Sequence, residues 1–96
     1  MNSKKVSEEM VNDLYSLIVS VNSVEDCRDL FNDLCTAKEI EQMSQRIAAA
    51  KMLLQGKTYN QVIEKTDISS ATLSRVSRAV QYGDGYIKFL GNNKLN

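Results

Sequence analysis

Helix-start signals recur at short intervals along this chain, and they constrain its fold more than any other feature. "TAKE" at 36–39 and "TYNQ" at 58–61 each place a threonine three residues before Glu or Gln. In such a capping box the threonine hydroxyl accepts a backbone N–H while the Glu or Gln side chain reaches back to the threonine's own N–H. Ser23, with Glu25 and Asp26 behind it, and Ser69, ahead of a fresh apolar stripe, are two more N-cap candidates. Stops alternate with these starts: "NS" at 22–23, Gly56, "TDIS" at 66–69 and "YGDG" at 82–85. No proline forces a break, and Met, Leu, Ala, Glu, Gln and Lys are frequent. The expectation is an all-α chain of about six helices with tight connections.

Apolar spacing supplies the inner faces. Met10, Val11, Leu14, Leu17, Ile18 and Val21 form a first stripe, and Val24, Cys27, Leu30, Phe31 and Leu34 a second. A long third helix follows with Ile40, Met43, Ile47, Ala50 and Leu54 inside. Val62 and Ile63 mark a short fourth helix, and Leu73, Val76 and Val80 a fifth. "YIKFL" at 86–90 makes a last amphipathic piece, and the tail "GNNKLN" is expected to fray. The chain has 96 residues, which suits a single domain spanning 1–96 with a thin core. The first two stripes exceed what one short bundle can cover, which points to a homodimer with these helices packed across the partner.

The formal net charge of zero hides a division. Residues 1–45 carry four bases against nine acids, a net −5, while residues 46–96 carry eight bases against three acids, a net +5. A basic half suggests a polyanionic partner; scattered surface charge is the plainer alternative. Several chemistries lack their residues. The chain has no histidine, so the usual general base and the commonest metal ligand are absent. Two cysteines alone do not make a zinc site, and "YGDGY" matches no phosphate-binding glycine loop. We therefore expect no enzyme, no metal and no cofactor. Cys27 and Cys35 would lie about 12 Å apart on a continuous helix, too far for a disulfide, and are read as buried, reduced thiols, with a reactive pair as the alternative. No apolar run approaches the roughly 18 residues of a membrane span, and "MNSKKVSEEM" lacks the apolar segment of a signal peptide, so a cytoplasmic protein without membrane contact is expected.

The strongest local pattern lies between Thr58 and Arg78. Two short helices, about 59–65 and 69–81, are joined by "KTDIS", which offers a bend and one aliphatic, Ile68. This is the layout of a helix-turn-helix, spanning about 58–81. Many such motifs carry Gly at the turn, where this chain has Asp67, a residue that tolerates a left-handed backbone better than most. Many also carry Ala inside the first helix, where this chain has Ile63. The free N–H groups at the start of the second helix suit phosphate. Ser69, Ser70 and Thr72 add hydroxyls, while Arg75 and Arg78 can reach a phosphate or a guanine edge. Lys57, Thr58 and Tyr59 open the helix that would cross the DNA backbone. The geometry of the motif brings Ser69, Ser70, Ala71, Ser74 and Arg75 nearest the bases. Small side chains there favour readout by methyl contact, water and DNA shape. The competing reading is a helical corner that only packs, within a protein-interaction module whose acidic half docks a partner.

The stretch "LCTAKEIEQMSQRIAAAKMLLQGKTYNQVIEKTDISSATLSRVSRAV", 34–80, resembles the Trp repressor superfamily. Its closest likeness is to the small Trp-repressor-like branch called YerC/YecD, carried by "ATLSRV" and the following "YGDGY". The resemblance implies an intertwined all-α homodimer that regulates transcription by binding sequence-specific double-stranded DNA. Its two recognition helices would stand about 34 Å apart, one turn of DNA. It also implies an amino-acid effector pocket, with Thr36, Arg46 and Arg75 at the positions that hold tryptophan in the Trp repressor. Each has a simpler role as well: Thr36 as an N-cap, Arg46 as a partner for a helix acid, Arg75 as a phosphate contact. Two positions depart from the pattern, with Val76 in place of a glycine and Ala79 in place of a serine. Val76 crowds an indole slot and Ala79 cannot accept a hydrogen bond, which argues against tryptophan itself.

Overall fold

Each helix-start signal meets a helix where a cap is needed. The computed structural model of the chain describes residues 6–91. It contains six helices: α1 Glu8–Ser20, α2 Val24–Leu34, α3 Ala37–Leu54, α4 Tyr59–Thr66, α5 Ser70–Tyr82 and α6 Gly85–Leu90. There is no strand among the described residues. Ser23 accepts the Asp26 N–H at 3.0 Å and Ser69 accepts that of Thr72 at 3.2 Å. At Thr58 the full capping box forms: its hydroxyl accepts the Gln61 N–H, and Gln61 Oε1 accepts the Thr58 N–H at 2.8 Å. Helix α3 begins directly after Thr36. The unforeseen cap is Ser7, which accepts the Met10 N–H and opens α1.

The stops are equally local. The Gly56 N–H donates to the Leu53 carbonyl and the Lys57 N–H to that of Met52, with Gly56 at φ 88°. That paired pattern ends α3 in a left-handed residue, which glycine adopts without a Cβ penalty. Helix α5 ends differently. Gly83 has extended backbone, and an added Cβ would stand 2.8 Å from the Ala79 carbonyl oxygen, so close approach rather than handedness requires glycine there.

The chain falls into two compact units, divided between Thr36 and Ala37. The first holds α1 and α2, and neither helix has a buried residue. Along their predicted inner stripes Met10 is 56% exposed, Leu17 50% and Val24 68%. Within the single chain Cys27 is exposed and Cys35 half-buried, so this unit by itself does not bury the thiols. A helical stripe places a residue on the apolar side but does not supply the surface that covers it.

The second unit holds α3 to α6 and the buried core: Ala49, Ala50, Val62, Ile68, Leu73 and Val76. Ala49 and Ala50 are fully buried, and their small side chains let α4 and α5 approach the α3 backbone. Val62 on α4 and Leu73 on α5 are the largest wholly enclosed side chains. Ile47, predicted to face inward, is 48% exposed and borders an open apolar cavity with Tyr86, Phe89 and Leu90. The tail expected to fray lies outside the described residues beyond Gly91, which is buried at the end of α6. No helix is long and apolar enough to cross a membrane among the described residues.

Candidate nucleic-acid interface

The start of α5 is shaped by a turn that aims it. Asp67 sits at φ 60° and ψ 22°, the left-handed conformation its residue type tolerates, and its N–H donates to the Ile63 carbonyl at 2.8 Å. Ile68 then drops into the core at 3% exposure, and Ser69 opens α5 with extended backbone. Turn, buried anchor and cap follow within three residues, so the direction of α5 is set by packing as well as by hydrogen bonding.

Most of the predicted contact residues share the solvent side of this motif. Lys57, Thr58 and Tyr59 at the start of α4 are exposed, as are Ser69, Ser70, Ala71, Ser74, Arg75 and Arg78 along α5. Thr72 is half-buried and turns aside from that row. It is tied to the cap, because Ser69 Oγ donates to Thr72 Oγ1 at 2.9 Å while accepting the Thr72 N–H. The pairing leaves the Thr72 hydroxyl its own proton to donate outward. On the opposite side of α5, Leu73 and Val76 are buried and Ser77 is 9% exposed, so the exposed row and the packing face separate cleanly.

Two cavities flank this helix start, the first polar and the second mixed. One, of about 390 Å³, lies between α3 and the turn and includes Lys38, Gln42, Gln45, Arg46, Ser69 and Thr72 in its wall. The second, of about 280 Å³, is lined by Arg46, Thr72, Arg75, Val76, Ala79 and Tyr86. Arg46 and Arg75, two of the three expected effector residues, thus share one cavity. Thr36, the third, belongs to the other unit. Val76 and Ala79 line the same cavity, and an aromatic ring of the chain's own, Tyr86, forms part of its wall. The guanidinium groups could hold a carboxylate. Among the described residues no Asp or Glu lines it to hold an ammonium group.

Sequence patterns alone do not point to two of these participants. Tyr86 belongs by its spacing to an amphipathic end piece. Gln45 was missed, although it stands one turn before buried Ala49 on α3, where a polar side chain on an inward face asks for a partner.

Comparison with known proteins agrees with this geometry. Residues 9–93 match the family model described as Trp repressor protein. The chain belongs to that family. The uncharacterized protein YerC of Bacillus subtilis (strain 168) is 38% identical over 84 residues, covering 88% of this chain and 81% of that protein. A crystal structure of a candidate Trp repressor from Staphylococcus aureus superposes with a TM-score of 0.86 at 35% identity. It covers 100% of this chain and 97% of its own. A TrpR-like protein from Eubacterium eligens ATCC 27750 also gives 0.86, at 37% identity and 97% coverage of both chains. The chain is therefore an all-helical, Trp-repressor-like protein that sides with YerC.

Proposed function

We propose that this protein is a sequence-specific, double-stranded-DNA-binding transcriptional regulator acting in the cytoplasm as a homodimer. The observation that carries the reading is the exposed row Ser69, Ser70, Ala71, Ser74, Arg75 and Arg78 on a helix held by a capped turn, within a chain of the Trp repressor family. In this reading Lys57, Thr58 and Tyr59 hold the phosphate backbone, and the row on α5 enters the major groove. Arg75 and Arg78 supply charge, while the small residues between them allow close approach of the helix backbone.

The dimer is favoured by the uncovered stripes of α1 and α2. Leucines, valines and a methionine left to water on both helices are apolar surface that a second copy can bury. That burial would make residues 1–96 one domain of an intertwined pair. The protein works without a catalytic centre, metal or cofactor in this reading, and without L-tryptophan. The walls Val76, Ala79 and Tyr86 leave the arginine cavity poorly suited to an indole and an ammonium group together.

Selection of bound sequences from random DNA tests the proposal. The expected product is a palindrome with half-sites about one helical turn apart. The affinity for it should fall steeply with salt, the logarithmic slope growing by about 0.9 per phosphate neutralised. Recovery of no preferred sequence, together with a normal dimer by sedimentation, would leave the protein-interaction module as the function. Calorimetry with L-tryptophan is expected to be flat.

A further inference from the structure

Most side-chain hydrogen bonds described in this protein close within four residues of chain. Gln45 differs. Its side-chain nitrogen, on α3, donates to the Thr66 carbonyl at 3.1 Å and more weakly to the Asp67 carbonyl at 3.5 Å, 21 and 22 residues away. Both acceptors are carbonyl oxygens, so the –NH2 end of the amide must face them. These are the carbonyls of the turn itself. At the end of a helix such oxygens lack intrahelical partners. The neighbouring groups are already engaged: Thr66 Oγ1 donates to the Val62 carbonyl and accepts the Ile68 N–H, and the Asp67 N–H goes to Ile63. Gln45 completes the set from outside the motif. It also lines two cavities beside the turn, of about 390 and about 550 Å³.

We propose that Gln45 is a positioning residue for DNA recognition: it pins the left-handed turn to α3 and so fixes the angle at which α5 is presented. The role rests on the DNA-binding reading above. Gln45 itself touches no DNA; it acts through the carbonyls of Thr66 and Asp67. Without it, the turn keeps its local bonds and α5 keeps its cap, but the two helices can swing together on the Ile68 anchor. The loss then shows as weaker and less selective binding rather than as unfolding.

The test uses the full chain, a duplex recovered by selection, and hydrogen exchange on the DNA-free protein. Gln45→Ala should keep its helix content, weaken DNA binding roughly three- to tenfold, and speed exchange of the Ile68 amide by a similar factor, the scale of one lost hydrogen bond. Gln45→Glu provides the sharper arm. Ionised, it can only accept, and it faces two carbonyls. In the DNA-free protein at pH 7.5 it should therefore speed Ile68 exchange at least as much as Gln45→Ala does, a readout that repulsion between a carboxylate and DNA leaves untouched. Lys38, Glu41, Arg46, Lys65 and Asp67 border the same cavities, so wild type and Gln45→Ala are measured beside it as controls. Wild-type affinity in Gln45→Ala, unchanged Ile68 exchange in Gln45→Ala, or slower Ile68 exchange in Gln45→Glu than in Gln45→Ala would each overturn the proposal. A wild-type protein that selects no DNA would instead overturn the functional reading, and the exchange arm would then decide the clamp alone.

Discussion

Ser69→Asp separates the folding role of the α5 N-terminus from its proposed recognition role. Ser69 is the N-cap of α5, accepting the Thr72 N–H at 3.2 Å. Asp caps a helix about as well as Ser, and its charge is favoured at the positive end of the helix dipole by roughly 0.3–1 kcal/mol. It cannot donate to Thr72 Oγ1 as Ser69 does, but its carboxylate can accept the Thr72 hydroxyl proton in place of that exposed bond. Stability should thus stay at or slightly above that of wild type. DNA binding should not. A carboxylate about 6 Å from a phosphate is repelled by about 0.7 kcal/mol at a dielectric constant of ~80 and about 2.8 kcal/mol at ~20. A half-site against DNA lies between these limits, and a dimer incurs the cost twice. The expected loss is therefore about 1.4–5.6 kcal/mol per dimer, from roughly tenfold to more than a thousandfold in affinity. Ser69→Asn, a neutral cap, should lose much less. The assay is fluorescence anisotropy on the selected duplex at low and moderate salt, beside thermal melts of each variant. A Ser69→Asp protein that melts like wild type and binds DNA like wild type would refute the placement of this helix end against the phosphates.

The remaining expectations are simpler. Arg75→Ala and Arg78→Ala should each weaken binding and lower the salt slope by about one unit per phosphate contact removed, read by titration at several salt concentrations. Leu73→Ala, at a fully buried position, should cost about 2–5 kcal/mol in chemical denaturation, with the whole of the second unit losing stability. Gly56→Ala should destabilise by about 1–2 kcal/mol in the same assay, because φ 88° is unfavourable for any residue with a Cβ. Asp67→Gly should raise the melting temperature slightly, by relief of up to about 1 kcal/mol at φ 60°.

Local chemistry explains how much of this fold was legible in advance. The capping box at Thr58 and the caps at Ser23 and Ser69 each depend on atoms within three residues, so a linear reading can find them. The same holds for Gly56 and Asp67, whose left-handed backbones follow from what lies immediately before and after them. The exposed row on α5 follows from helical period alone once the buried aliphatics are known. The misses have the opposite character. Cys27 and Ile47 sit on apolar stripes but remain exposed, because a stripe specifies a face and not the surface that meets it. The Gln45 bond spans more than twenty residues, and no spacing rule reaches that far.

The order of helices, most of their limits, and the residues of the exposed row on α5 were thus determined by the sequence by itself, since backbone capping and helical period act over one or two turns. Tertiary structure alone decided which carbonyls Gln45 satisfies, that Arg46 and Arg75 share a cavity walled by Val76, Ala79 and Tyr86, and that Thr72 turns aside to its cap. These depend on how closely α3 lets α4 and α5 approach across Ala49 and Ala50. That distance is set by close packing among side chains far apart in the chain, and packing is a property of the assembled core.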